Sequence, residues 1–280
     1  MVVDASSTST IETGSLESTE IDLSAVHAVV LAAGMGKRMK SDLPKVLVRC
    51  LGRPLVEYVL AALEQVGIRT ILVVVGYRAQ EVRAAIGERP GLVYVEQSPQ
   101  LGTGHAVAVC REWLEKLAGP TLVLTGDSPM VQPSSLRKLL SYFLQHRCRT
   151  GQSTGRLGCL MGTLYHPNPT GLGRIVRDPT TGEFLKIVEE RDATDVERAI
   201  REVNMSTYVF DTQALLWALE RLSADNRQKE YYLTDCPGLM RNAGWLVEAL
   251  PVLEPCEALS VNTPEELAAV EAEMRRLRGL

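Results

Sequence analysis

Val26-His27-Ala28-Val29-Val30-Leu31-Ala32-Ala33-Gly34-Met35-Gly36-Lys37-Arg38-Met39-Lys40-Ser41-Asp42-Leu43-Pro44-Lys45 is the stretch on which the fold turns. Residues 26–31 form a short, mostly apolar run that ends in Ala32-Ala33-Gly34, which reads as a buried strand entering a loop. Gly34 and Gly36 allow positive φ and a close approach of backbone. Successive backbone N–H groups in such a loop can curl around phosphate oxygens. Lys37, Arg38, Lys40 and Lys45 place four cations within nine residues, against the single acid Asp42. Pro44 fixes the backbone before Lys45 and biases Leu43 toward an extended conformation. The loop is not a Walker A motif, because Arg38 follows Gly36-Lys37 where Ser or Thr would be needed for magnesium. Nor is it a dinucleotide fingerprint, since Met39 stands at the third glycine position. On the glycines alone, a βα turn with a solvated basic face is the better account; motifs further along change that.

Outward from this loop the chain alternates. Residues 54–66 carry helical spacing and stop at Gly67. Apolar strands are expected at 70–75, 92–95 and 120–124, with helices at 79–86, 104–117 and 133–145. This alternation predicts an α/β fold built of βαβ units, with a mostly parallel sheet flanked by helices. Beyond about residue 150 the rhythm loosens. Strands are expected at 157–164, 174–177, 184–189 and 203–210, with turn signals at Pro167-Asn168-Pro169 and Thr181-Gly182. These read as a smaller mixed β lobe within about 150–210. Helices follow at 212–222, 233–242 and 264–277. No internal repeat is present. Residues 1–24 are rich in Ser, Thr and Glu and read as a disordered tail, leaving one domain over 25–280.

The bulk numbers agree. A chain of 280 residues with 45% apolar content builds one large α/β core, and 5% aromatics make that core aliphatic. A net charge of −4 argues against general nucleic-acid binding, so an anion site must be a local concentration of positive charge. The six cysteines are scattered and form no C-x-x-C pair, and no N-terminal apolar segment resembles a signal peptide, so a cytoplasmic protein with reduced thiols is expected. The four histidines lack zinc-ligand spacing. No apolar run approaches the length of about 20 residues that a membrane span requires, so no membrane partner is expected.

The string LAAGMGKRMKSDLPKVL over 31–47 resembles the signature of the sugar-nucleotide pyrophosphorylases. Gln97-Ser98-Pro99-Gln100-Leu101-Gly102-Thr103-Gly104-His105-Ala106 narrows the resemblance to the uridylyltransferase domains of bacterial N-acetylglucosamine-1-phosphate uridyltransferases. Thr125-Gly126-Asp127, Gly171-Leu172-Gly173-Arg174-Ile175, Ile187-Val188-Glu189-Glu190, Asp192-Ala193-Thr194, Glu202-Val203-Asn204, Glu230-Tyr231-Tyr232-Leu233-Thr234-Asp235 and Val261-Asn262 match in the same order. The resemblance spans about 26–280. It implies a Rossmann-like fold of the nucleotide-diphospho-sugar transferase type.

It also implies roles. In this family a sugar-phosphate oxygen attacks the α-phosphorus of UTP and pyrophosphate leaves, with Mg2+ as cofactor. The substrates implied are UTP and the sugar 1-phosphate N-acetylglucosamine 1-phosphate, and the product is UDP-N-acetylglucosamine. Arg38 and Lys45 match the charged catalytic residues of the loop; a guanidinium fork and a lysine point charge both suit phosphate oxygens. Leu31, Ala32, Ala33, Gly34 and Gly36 match the loop around the nucleotide. Gln97, Gly102 and Thr103, with Ala33, match the residues that read uracil. Thr125, Gly126, Gly173, Glu189 and Asn204 match the sugar side. Asp127 and Asn262 match the magnesium ligands, a carboxylate and a neutral oxygen donor. Four of these residues have a plainer alternative: a surface glutamine at 97, a helix N-cap at Asp127 before Ser128-Pro129, a strand-end acid at 189, and a cap or turn at Asn262.

The sequence departs from the family pattern at four points. Thr125 stands where Tyr or a similar residue is usual, Met205-Ser206 stands where a small residue and Gly are usual, and Lys37 stands where Thr is common. The bifunctional members also continue into an acetyltransferase β-helix that drives trimer formation. Acetyltransferase activity is therefore not expected of this chain, and its oligomeric state is left open. Two other readings stay open: a pyrophosphorylase for another sugar 1-phosphate or nucleotide, and an inactive nucleotide-sugar binding module.

Overall fold

The computed structural model describes residues 22–36, 39, 42–147 and 156–279. Lys37, Arg38 and Lys40, and residues 1–21 of the expected tail, lie outside the described residues. Leu23 packs against the apolar core, and Val26 N–H donates to its carbonyl at 2.9 Å.

The strands are β1 (His27–Ala32), β2 (Arg49–Cys50), β3 (Arg53–Pro54), β4 (Thr70–Val75), β5 (Leu92–Glu96), β6 (Pro120–Thr125), β7 (Leu157–Tyr165), β8 (Gly173–Arg177), β9 (Phe184–Val188), β10 (Glu202–Asp211) and β11 (Leu246–Leu250). The helices are α1 (Leu55–Val66), α2 (Ala79–Ile86), α3 (Thr103–Ala108), α4 (Arg111–Leu114), α5 (Pro133–His146), α6 (Asp195–Arg198), α7 (Thr212–Leu219), α8 (Cys236–Asn242) and α9 (Pro264–Arg278).

Among the described residues the main sheet has nine strands, in the order β11-β7-β10-β6-β1-β4-β5, with β8 and β9 extending from β10. β6, β1, β4 and β5 run parallel. β10 is antiparallel to both β6 and β7, and β11 is parallel to β7. The architecture is thus a mixed, mostly parallel sheet between helices. The strands expected as a separate lobe divide: β7 and β10 continue the main sheet, and β8 and β9 form an antiparallel extension.

Strand alternation explains the two-sided core. In β1, Ala28, Val30 and Ala32 enter one apolar cluster while Val29 enters the other, with Leu31 packed against it. In β4, Ile71, Val73 and Val75 face one side and Leu72 and Val74 the other. Helix α1 ends at Gly67 (φ 100°), whose N–H donates to Leu63 and Glu64 carbonyls at 3.1 and 3.0 Å. The expected helix over 104–117 is two short pieces, α3 and α4. Cys110 N–H bonds back three residues to the Val107 carbonyl at 3.0 Å, and this tighter turn breaks the α-helical register. The strand β11 was not expected from the sequence.

β1 has β4 on one side and β6 on the other, so the order reverses there. A crevice outside the carboxyl ends of strands at such a switch point is where open α/β sheets bind ligands.

Candidate active site

A cavity of about 270 Å³ opens at that switch point. Its walls come from the ends of several strands. Leu31, Ala33 and Gly34 come from β1 and the loop after it, Gln97 from the end of β5, and Thr125 and Asp127 from the end of β6. Lys45, Gly102 and Thr103 complete the expected residues around it. Ala32 is buried and pairs with Val75, so it supports the wall without lining it. Gly126 also stands behind the wall, where its N–H donates to the Leu31 carbonyl at 2.8 Å.

The cationic corner is built from three distant parts of the chain. Lys45 Nζ forms an ion pair with Asp127 Oδ2 and donates to Asn262 Oδ1 at 2.6 Å. Pro44 sets the 3-10 turn Lys45–Leu47, which buries Val46 and Leu47 and leaves the lysine side chain free to reach the crevice. Gly36 (φ 70°) lies directly against Lys45; a Cβ there would stand 2.7 Å from Lys45 Cβ. That contact and the positive φ both require glycine.

Asn262 owes its position to α9. Thr263, not Asn262, is the N-cap of that helix, accepting from Glu266 N–H at 3.2 Å. Glu266 in turn accepts from Asn262 N–H at 2.6 Å, which pins the asparagine backbone. Its side-chain oxygen is therefore not consumed in capping. Asp127 is no helix cap either: the next helix, α5, begins at Pro133 with Gln132 before it.

Asp127 Oδ2 and Asn262 Oδ1 both face one ammonium group, so a carboxylate and an amide oxygen already converge on a single cationic centre. Magnesium takes hard oxygen donors and keeps water and phosphate in its shell, and this donor pair fits it. Among the described residues no three His, Cys, Asp or Glu side chains converge, so phosphate and water oxygens would supply the remaining positions.

The opposite wall is neutral. Gln97 is only 4% exposed and is no surface glutamine. Its amide nitrogen donates to the Gly102 carbonyl at 3.0 Å and lies 3.1 Å from His105 Nδ1. Gly102 has φ 106°, and a Cβ there would stand 2.6 Å from the Tyr231 carbonyl oxygen, so glycine is again required. Thr103 Oγ1 accepts from Leu233 N–H at 3.1 Å. Sequence reasoning assigned no role to Gln100 or Glu230, which also line the cavity. Gln100 donates to the Ala33 carbonyl at 3.1 Å, tying two cavity walls together. Both residues lie inside motifs already quoted, and that position was the available signal.

A second group sits beyond the end of β6. Tyr208 of β10 lies opposite Val123, so residues 204–206 run past Thr125 toward the loop that carries Asp127. Asn204 pairs with Gly173, and a Cβ on Gly173 would stand 3.4 Å from Asn204 Cβ. Asn204 donates to Tyr208 OH at 2.7 Å and accepts from Ser206 N–H at 3.2 Å. Glu189 is half-buried and accepts from Thr234 Oγ1 at 3.1 Å. Burial raises its carboxyl above the usual carboxylate range; Thr234 opposes this, and Asp235 and Asp192 add to it. Burial also raises the Tyr208 phenol, with the Glu189 charge reinforcing the effect. Gly173, Glu189 and Asn204 do not line the cavity itself.

Thr125 Oγ1 shares a hydrogen bond with Ser128 Oγ at 2.8 Å. Ser206, where glycine is usual, has φ 52° and so keeps the left-handed backbone a glycine would adopt freely. Arg38 lies outside the described residues.

Residues 28–231 match the MobA-like NTP transferase domain. The chain is 41% identical over 254 residues to the bifunctional protein GlmU of Brevibacillus brevis, covering 91% of this chain and 52% of that one. It is 41% identical over 249 residues to the bifunctional protein GlmU of Caldanaerobacter subterraneus subsp. tengcongensis, covering 89% and 51%. The chain thus spans about half the length of these curated relatives. The solved structure of an apo-UDP-glucose pyrophosphorylase superposes with a TM-score of 0.73 at 14% identity, covering 90% of this chain and 98% of that one, a likeness of fold. A match over more than half of the chain, with the cavity at the switch point of its sheet, makes this chain a nucleotidyltransferase of the MobA-like NTP transferase family.

Proposed function

We propose that the chain transfers a uridylyl group from UTP to a sugar 1-phosphate, N-acetylglucosamine 1-phosphate, with magnesium as cofactor. The observation that carries this reading is the convergence of Lys45, Asp127 and Asn262 at one end of a cavity whose other wall holds Gln97 and Gly102. A sugar-phosphate oxygen forms the new bond to the α-phosphorus of UTP. The bond from that phosphorus to the bridging oxygen breaks, and pyrophosphate leaves with the electron pair. Negative charge spreads over the phosphoryl oxygens in the transition state, so preorganised cations supply most of the catalysis.

Lys45 stabilises that charge directly, and Arg38 of the same loop is proposed to share the task. Asp127 and Asn262 would hold magnesium, which supplies Lewis-acid charge to the phosphates when bound. Gln97, Gly102 and Thr103 take the uracil, and the loop Leu31–Gly36 encloses the nucleotide. Glu189, Asn204 and Gly173 take the sugar and its acetamido group. The resemblance in the ordered motifs supports these roles, and so does the 41% identity to proteins named GlmU.

The test is a pyrophosphate-release panel of nucleoside triphosphates and sugar 1-phosphates with magnesium. Release with UTP and N-acetylglucosamine 1-phosphate is the expected result; no release with any UTP pair sinks the reading. Thr125, where a larger residue is usual, favours a second reading in which the sugar differs, and the same panel separates the two.

A further inference from the structure

Gln97 offers the cavity only one kind of atom. A carbonyl oxygen can only accept, so the nitrogen end of the Gln97 amide, rather than its oxygen, must face the Gly102 carbonyl 3.0 Å away. This contact settles the amide orientation on chemical grounds. An amide nitrogen carries two protons. One goes to Gly102, and the other points at His105 Nδ1, 3.1 Å away. For that contact to be a hydrogen bond Nδ1 must accept, which puts the ring proton on Nε2. Both amide protons are then used within the protein, and Oε1 is what Gln97 presents to a ligand. His105 is half-buried on α3 and stands behind Gln97, while its neighbour Ala106 lines the cavity.

We propose that His105 is a positioning residue that holds the Gln97 carbonyl toward the cavity and so makes the site select a pyrimidine that donates from its ring N3. This rests on the uridylyl reading above. Uracil carries a proton on N3, whereas cytosine, a ring of the same size, carries a lone pair there. Against Gln97 Oε1, uracil gains a hydrogen bond, and cytosine meets opposed lone pairs. Without His105 the second amide proton loses its partner, and only Gly102 resists rotation of the amide.

The experiment compares His105→Leu, which has no acceptor, with His105→Asn, whose side-chain oxygen can accept near the position of Nδ1. The readouts are kcat and KM for UTP and CTP, calorimetric binding of UDP and CDP, and the thermal midpoint. His105→Leu is expected to raise KM for UTP more than it lowers kcat, and to narrow the UTP-to-CTP preference about tenfold, the loss of one orienting hydrogen bond. His105→Asn is expected to restore most of that preference. A folded His105→Leu protein with wild-type preference and wild-type KM overturns the proposal, as does an Asn variant no better than the Leu variant. Nitrogen-15 spectroscopy of the wild-type ring gives a check independent of any variant: the Nε2–H tautomer is expected, and Nδ1–H overturns the role. Wild-type protein that binds no uridine nucleotide refutes the uridylyl reading itself, whereas uridine selectivity that survives His105→Leu refutes only the role of His105.

Discussion

Replacing Gly36 by alanine separates backbone strain from damage to the site. Gly36 has φ 70°, and an L side chain in that region costs about 1–2 kcal/mol. The new methyl would also meet Lys45, at 2.7 Å from Cβ, 3.1 Å from Cγ and 3.2 Å from Cα. Carbon atoms prefer about 3.5–4.0 Å, so the two segments must part by roughly 1 Å. Lys45 cannot yield alone: its turn is closed by Leu47 N–H to the Pro44 carbonyl at 2.9 Å and by Val48 N–H to the Lys45 carbonyl at 3.1 Å. Buried Val46 and Leu47 anchor that turn. The displacement therefore reaches the ammonium group shared by Asp127 and Asn262. A misplacement of about 1 Å in a charged catalytic group costs about 10²-fold in rate. Gly244→Ala is the control, with φ 89° and nothing within 4 Å of the added methyl. Both variants should lose about 2–4 °C in thermal midpoint for each kcal/mol of strain. Pyrophosphate release should fall about 10²-fold in Gly36→Ala alone. If Gly36→Ala keeps full activity while its midpoint falls as in the control, the contact with Lys45 has no functional weight and the reasoning fails.

Asp127→Asn keeps the shape of the side chain but removes its charge. Activity should fall by about 10²-fold or more, with a higher magnesium concentration at half-saturation; an unchanged magnesium titration removes Asp127 from the metal site. Glu189→Gln should raise KM for the sugar phosphate and also change the pH dependence of stability. The Glu189 carboxyl lies above its ordinary value of 4.5 in the folded protein, chiefly through burial, so its contribution is fully present below that value and is lost as pH rises through the folded pKa. The Gln variant should therefore gain on wild type as pH rises from 4.5 toward neutrality in thermal melts; a constant difference across that window refutes the burial account. Ser206→Gly relieves about 1–2 kcal/mol of left-handed strain and adds about 0.5–1 kcal/mol of chain entropy to the unfolded state. A small net rise in thermal midpoint is expected, and a fall shows that the serine hydroxyl matters more than the backbone.

The half of the fold that carries the glycine-containing loop after β1 was legible because its signals are local. Short aliphatic runs, each ended by glycine or a polar turn, are what strands covered on both faces need, and β1, β4 and β6 obey that rule, while β5 at the sheet edge is only half-buried. β11 was not legible. Leu246-Val247-Glu248-Ala249-Leu250 contains strong helix formers, and its pairing with β7, from Leu246 opposite Leu157 to Leu250 opposite Gly162, makes it a strand. The break between α3 and α4 falls at Val109-Cys110, with no glycine or proline to mark it. The convergence of Lys45, Asp127 and Asn262 was legible only through the resemblance. Residues 217 positions apart meet at 2.6 Å, and no local pattern encodes that.

The departures at 205–206 show how a sequence difference can overstate a structural one. Read as letters, Met-Ser in place of a small residue and glycine changes the surroundings of Asn204. In the structure the Met205 side chain packs against the apolar core, and Ser206 keeps the positive φ that glycine would supply. The Ser206 N–H still donates to Asn204 Oδ1, so the backbone that orients Asn204 is retained. On the proposed reading, what separates one sugar from another at this end is then the set of polar atoms on Asn204, Glu189 and Thr125. Thr125 is tied to Ser128, and Glu189 to Thr234. A site of fixed polar groups rejects a ligand that leaves them unpaired far more strongly than an apolar pocket rejects one that is a methylene too large. On the function proposed above, the acetamido group is accordingly the feature the enzyme should discriminate best, and glucose 1-phosphate, which lacks the group that Asn204 and Glu189 are proposed to hold, should be a poorer substrate than N-acetylglucosamine 1-phosphate.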